Sequence, residues 1–175
     1  MPKFSPHAVA NYLLELGERD NVEISPMKLQ KLVYYAHGWH LGITGEPLIN
    51  EQIECWQYGP VVRSLFHQFK DFGSSAITRK ATKFKLRKPN EKGVGFFKTI
   101  TPTISERFTD ERTLIETVWD SYKEYGPIRL SNMTHAEGEP WRTVFEKWDR
   151  RPPKGTDIPQ DLIRQYFESK LTDDT

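Results

Sequence analysis

The chain has 175 residues, a formal net charge of +1 and 37% apolar residues, enough for one buried core and too little for two. The near-neutral balance excludes a global pull toward nucleic acid or an anionic membrane, so a charged partner has to be met by a local patch. The single cysteine, Cys55, excludes an intramolecular disulfide and a cysteine-based zinc site built from this chain alone, and makes a reducing cytoplasm the natural setting.

The first residues, Met1 to Pro6, hold no apolar run of signal-peptide length, and no segment approaches the ~20 apolar residues of a membrane span. Neither secretion nor insertion is expected. No internal repeat is visible. With 10 Phe, 7 Tyr and 5 Trp, rings must supply much of the core volume.

Ser5-Pro6 is an N-cap followed by a first-turn proline, and Val9, Tyr12, Leu13 and Leu16 recur at helical spacing until Gly17. Ser25-Pro26 repeats the start signal. Leu29, Leu32, Val33, Ala36, Trp39 and His40 then trace one face of a second helix that ends near Gly42. Pro47-Leu48-Ile49 and Ile53-Glu54-Cys55-Trp56 have strand character and are separated by Asn50-Glu51-Gln52, which predicts a small hairpin between them. Gly59-Pro60 is expected to break the second strand and start a third helix striped by Val62, Leu65, Phe66 and Phe69, up to Phe72-Gly73.

From 74 to 105 the pattern alternates and carries Pro89, Gly93, Gly95 and Pro102, which predicts an inserted loop with one or two edge strands. Thr109-Asp110 can cap a helix running to about Glu124, with Leu114, Ile115, Val118, Trp119 and Tyr122 inward and Gly126-Pro127 as its stop. A short helix with Ile128, Leu130 and Met133 follows, then one opened by Glu139-Pro140 and striped by Trp141, Val144, Phe145 and Trp148. After the linker Arg150 to Gly155, residues 156–171 predict an amphipathic helix (Leu162, Ile163, Tyr166, Phe167) docked back on the core, before an acidic tail that frays. The expectation is a mainly α, single compact domain over 1–175, of about six to seven helices with a small hairpin or edge strands.

Four constellations carry possible chemistry. His37 and His40 lie three apart on the second helix, but no obligatory carboxylate or third histidine accompanies them, so packing or surface hydrogen bonding outweighs a metal site. Ser131, His135, Glu137 and Glu139 can be named as a nucleophile, base and acid set. No strained nucleophile turn is present, so Ser131 reads as a bond within its helix and His135 as a tie from the helix end to the Glu-Gly-Glu-Pro turn. No catalytic, cofactor or metal residue is assigned.

Between Arg79 and Lys98 stand eight basic residues (Arg79, Lys80, Lys83, Lys85, Arg87, Lys88, Lys92, Lys98) against one acid, Glu91, with Phe84, Phe96 and Phe97 interleaved. Such a segment suits a phosphate backbone with stacking faces, a lysine-protected edge strand, or an acidic protein partner. The Trp56-Gln57-Tyr58-Gly59-Pro60-Val61-Val62 turn alternates Trp56 and Tyr58 about the chain, lets glycine take positive φ and uses proline to set the next helix. Trp56 reads as core and Tyr58 as surface.

The order Ser25-Pro26-Met27-Lys28-Leu29-Gln30-Lys31-Leu32-Val33-Tyr34-Tyr35-Ala36, then Gly38-Trp39-His40-Leu41, Pro47-Leu48 and Glu54 to Val62, with the later Leu130-Ser131-x-x-Thr134-His135 and Pro140-Trp141, resembles the Panacea antitoxin domain. That domain occurs in SocA-like antitoxins and in GepA-like proteins of bacterial mobile elements and phages. The resemblance covers most of the chain. It implies a non-enzymatic, cytoplasmic antitoxin without a cofactor, whose partner is a cognate protein toxin from an adjacent gene, neutralised by direct binding or by delivery to a protease. Tyr58, Val61, Arg63 and His135 are expected at the partner surface, and Trp39, Trp56, Gly59, Pro60 and Trp141 in the scaffold. The alternative is a phage or mobile-element nucleic-acid-binding protein that works through 79–98.

Overall fold

A computed structural model describes residues 4–86 and 97–173. Helix α1 (Pro6–Asp20) starts where Ser5 Oγ accepts the Ala8 N–H at 3.2 Å, and it runs three residues past Gly17 to a left-handed cap at Asn21. Helix α2 (Pro26–Thr44) is capped by Ser25 and ends at a left-handed Gly45. From Lys28 to Leu41 nearly all of its residues are buried, so it is the central post of the fold rather than an amphipathic surface helix. Helices α3 (Arg63–Phe69), α4 (Thr109–Tyr122), α5 (Pro127–Thr134) and α7 (Gln160–Thr172) pack on it, while α6 (Pro140–Lys147) packs between α5 and α7. The fold is mainly α, with seven helices and two small antiparallel sheets among the described residues.

The terminal helix docks through a close approach. Gly38 and Gly42 leave a flat strip on α2, and a Cβ at Gly38 would lie 2.1 Å from the Phe167 ring. Tyr34, Trp39 and Tyr166 meet the same ring edge-on at 5.0–5.9 Å. Tyr35 stacks on Tyr122 at 4.4 Å, and the half-buried Trp39 donates its indole N–H to the Tyr122 hydroxyl at 3.0 Å. One apolar cluster runs from Phe4 to Phe167 and is rich in rings, as the composition requires.

The hairpin differs from the expected one. Strand β1 (Glu54–Trp56) pairs with β2 (Gly59–Val61), with Cys55 opposite Pro60, whereas Ile49 forms only a parallel bridge to Phe4. Two residues, Gln57 and Tyr58, make the turn. Gly59-Pro60 therefore lies within the second strand and does not begin the third helix, which starts at Arg63 and ends in a 3-10 turn over Lys70–Phe72. Pro60 is tolerated because the strand is short and at an edge. On the other side of β1, residues 156–158, expected to open the last helix, are extended and lend a rung instead, and α7 begins only at Gln160: Cys55 N–H donates to Thr156 O and Ile158 N–H to Ile53 O, at 2.8 and 2.7 Å.

Two helix details also differ. Phe108 is the cap residue of α4, so Thr109 and Asp110 lie inside the helix. Trp148 and Phe66, placed on the apolar stripes of their helices by spacing, are exposed, and so is Ile128.

In the basic segment, β3 (Lys83–Leu86) and β4 (Phe97–Ile100) pair as an antiparallel ribbon. Its root is fixed by the wholly buried Asn11 of α1. That amide donates to Ala81 O at 3.0 Å and to Pro102 O at 2.9 Å, and accepts the Ala81 N–H at 2.7 Å, so one side chain holds both legs. Arg87, Lys88, Pro89, Glu91, Lys92, Gly93, Gly95 and Phe96 lie outside the described residues, as does the end of the acidic tail.

Candidate partner-binding surface

The turn between β1 and β2 is held from beneath by buried polar groups on three helices. Lys31 of α2, 2% exposed, donates to Tyr58 O at 3.1 Å and to Pro60 O at 3.2 Å. Ser131 of α5 donates to the same Tyr58 carbonyl at 3.0 Å. Trp141 of α6 donates its indole N–H to Trp56 O at 2.7 Å. Gln30 exchanges two bonds with Val62, accepting its N–H at 2.8 Å and donating to its carbonyl at 3.0 Å. Every one of these partners is a backbone group, so the chain path of the turn is fixed without its side chains.

Lys31 is the unusual member. Among the described residues no carboxylate pairs with its ammonium, and burial pulls its pKa down to about 7. Gly59 makes room for it: φ is +117°, and a Cβ there would lie 2.5 Å from Lys31 Nζ and 3.1 Å from Thr134 Oγ1. A side chain at position 59 would occupy the space of the ammonium.

Above this base, Tyr58 is 71% exposed. Next to it on the turn, Trp56 is half-buried: its N–H donates to Glu54 Oε2 at 3.0 Å, its ring lies 4.8 Å from the exposed Phe66, and the Arg63 guanidinium lies 5.8 Å from its centre. Trp56 is thus a rim residue and not the full core residue expected. Arg63 is itself gripped by Glu54 through bonds of 2.7–3.2 Å, in a fork geometry that fixes its orientation. Val61 is 9% exposed and faces the interior, so it supports the surface from below. His135 is half-buried with its ring stacked on Trp141 at 3.9 Å, and burial lowers its pKa. Pro60 and Trp141 are buried and Gly59 is enclosed, as scaffold positions.

The other constellations separate. Ser131 spends its proton across the fold on the turn, not within its own helix, and His135 faces Trp141, so no nucleophile and base are joined. Glu139 is turned into the α2–α7 contact, where it accepts from the Tyr166 hydroxyl at 2.6 Å and burial lifts its pKa to about 7. Both histidines of α2 are buried. His37 Nδ1 accepts the Ile49 N–H at 3.4 Å, and His40 Nδ1 donates to Glu46 O at 2.6 Å. Among the described residues no group of three or more His, Cys, Asp or Glu side chains is placed to hold a metal, and no helix is long and apolar enough to cross a membrane.

Sequence reasoning missed Lys31, Gln30 and Ser131 as the supports of the turn. A signal existed for Lys31: it and Lys28 are the only charged residues of the second helix, and neither has an acidic partner a turn away.

The profile of the family described as antitoxin SocA-like, Panacea domain, matches residues 29–142. That span contains the Gln30, Lys31, Ser131 and Trp141 bonds to the turn, while the strand contacts from Thr156 and Ile158 lie beyond it. The Antitoxin SocA of Caulobacter vibrioides (strain NA1000 / CB15N) is 32% identical over 137 residues, covering 78% of this chain and 68% of that protein. No solved structure matches the chain.

Proposed function

The chain belongs to the SocA-like antitoxin family that carries the Panacea domain, and from that membership we propose that it neutralises a protein toxin from an adjacent gene by direct binding at the Tyr58 turn. The observation that carries the proposal is the pairing of a 71% exposed tyrosine with a backbone bonded to Lys31 and Ser131. A tyrosine has few rotatable bonds and presents a large amphipathic face, and a turn already fixed loses little further freedom on binding. Tyr58 is the anchor, and Arg63, with Trp56 and Phe66 beside it, forms the rim. Val61 and His135 act from below, through the strand and through Trp141.

The mechanism is occlusion without chemistry. Among the described residues no nucleophile around the turn is paired with a base, and Cys55 is buried with its thiol pushed up to about 12, far from a reactive thiolate at neutral pH. The protein works as a single domain in the cytoplasm and needs no cofactor. Co-expression with the neighbouring gene product tests the reading: rescue of growth together with a complex on pull-down supports it, and neither effect would sink it. Rescue that disappears in a protease-deficient host, with a complex still formed, would favour delivery for degradation over occlusion.

A further inference from the structure

The β3–β4 ribbon has two chemically different faces. Phe84 pairs across from Thr99 and Leu86 from Phe97, so these four share one face, while Lys83, Lys85, Lys98 and Ile100 share the other. Phe84, Leu86 and Phe97 are 79%, 64% and 75% exposed. The described legs, residues 74–86 and 97–105, contain no acidic residue. Lys80 is paired with Glu15 at 2.8 Å, but Lys83, Lys85 and Lys98 have no ion pair among the described residues. Among the described residues neither outer edge of this two-stranded sheet is paired, and the root is pinned by Asn11. An apolar face of this kind is ordinarily covered, and an open edge ordinarily paired.

We propose that this ribbon is a docking edge for an extended segment of a partner protein in which acidic and apolar residues alternate. Such a segment, added as a third strand, has the same period of two as the ribbon. Its apolar residues extend the Phe84, Leu86 and Phe97 face while its carboxylates lie beside the three lysines, so one occupant satisfies both faces and an edge at once. A nucleic-acid strand does not: bases stacked on the rings would hold their phosphates on the side away from the lysines. The proposal stands apart from the Tyr58 surface and does not require the toxin to be the partner.

The test uses the full chain and three labelled probes: a peptide of about eight residues alternating valine and glutamate, the same composition arranged in two blocks, and an oligothymidylate of about 12 nucleotides. Fluorescence anisotropy measures affinity, and amide exchange followed by NMR reports pairing. The alternating peptide is expected to bind about tenfold or more tightly than either other probe and to protect outward amides of β3 or β4. The double variants Lys85→Glu, Lys98→Glu and Phe84→Ser, Phe97→Ser each lose that binding; these four side chains are exposed, so melting is unchanged. Equal binding of the block peptide, tighter binding of the oligonucleotide, no bound probe, unprotected strand amides, or full binding by either variant would overturn the proposal.

Discussion

Gly59→Ala perturbs the support of the turn at one atom. A residue with a Cβ at φ +117° carries backbone strain of about 1–2 kcal/mol. The added methyl would lie 2.5 Å from Lys31 Nζ, and that ammonium is pinned between carbonyls at 3.1 and 3.2 Å. Moving it gives up at least one buried hydrogen bond, a further cost of about 1–3 kcal/mol. The total is about 2–5 kcal/mol. Gly45→Ala is the control, since that left-handed helix cap has nothing within 4 Å of the new Cβ and costs only about 1 kcal/mol. Urea unfolding followed by circular dichroism measures both. In a Lys31→Met background the penalty at position 59 shrinks, because the ammonium is gone and only the backbone strain and the 3.1 Å contact with Thr134 Oγ1 remain. If Gly59→Ala costs no more than Gly45→Ala, or costs the same with and without Lys31, the ammonium is not the post on which the turn rests.

Lys31 also gives stability a pH signature. Its folded pKa of about 7 lies below the ordinary 10.5, so above pH 7 the unfolded chain binds the extra proton and stability rises with pH. Against Lys31→Met as baseline, which cancels the other titrating groups, wild-type stability is expected to increase by about 3 kcal/mol between pH 7 and pH 10; a flat difference would show that the amine is not desolvated. Trp56→Ala is expected to cost about 2 kcal/mol rather than the ~3–5 kcal/mol of a fully buried tryptophan, because its ring is half-buried against Phe66 and Arg63. Equilibrium denaturation decides between those two values. Gly38→Ala forces Phe167 out of contact with α2, since the new Cβ would lie 2.1 Å from its ring, and is expected to lower stability by about 1–3 kcal/mol. Hydrogen exchange should show α7 opening before the rest of the fold; uniform loosening would contradict the strip as its seat.

The helices were legible because their punctuation is local. Ser5-Pro6 and Ser25-Pro26 each start a helix as read, whereas Gly126-Pro127, read as a stop, opens α5, and the longest helix runs past the expected end near Gly42 to a left-handed Gly45. The hairpin was misplaced because its register depends on distant groups. Gly59-Pro60 resembles a helix start, yet Lys31, Ser131 and the 153–158 linker hold it in an extended pairing with β1. Tyr58 as surface and Trp141 as core could be read from alternation and helical spacing. Val61 could not, since a single residue's facing follows the register that sequence did not fix. Trp56 looked like core by size alone, and it lies half-exposed because Glu54 and Arg63 give its N–H and its ring polar company at the rim. The ribbon's strands were foreseeable from alternation, but the opposition of its phenylalanines and lysines appears only once the pairing is known.

The most direct test of the proposed Tyr58 surface is the affinity of the purified Tyr58→Ala variant for the product of the neighbouring gene, measured by calorimetry with unfolding curves taken on the same samples. The side chain is 71% exposed and the turn is held through its backbone, so stability should stay within about 0.5 kcal/mol of wild type. Affinity should fall about 30-fold or more, the loss of an interface anchor worth about 2 kcal/mol. A variant that folds as wild type and binds the toxin within about twofold of wild type would contradict the account.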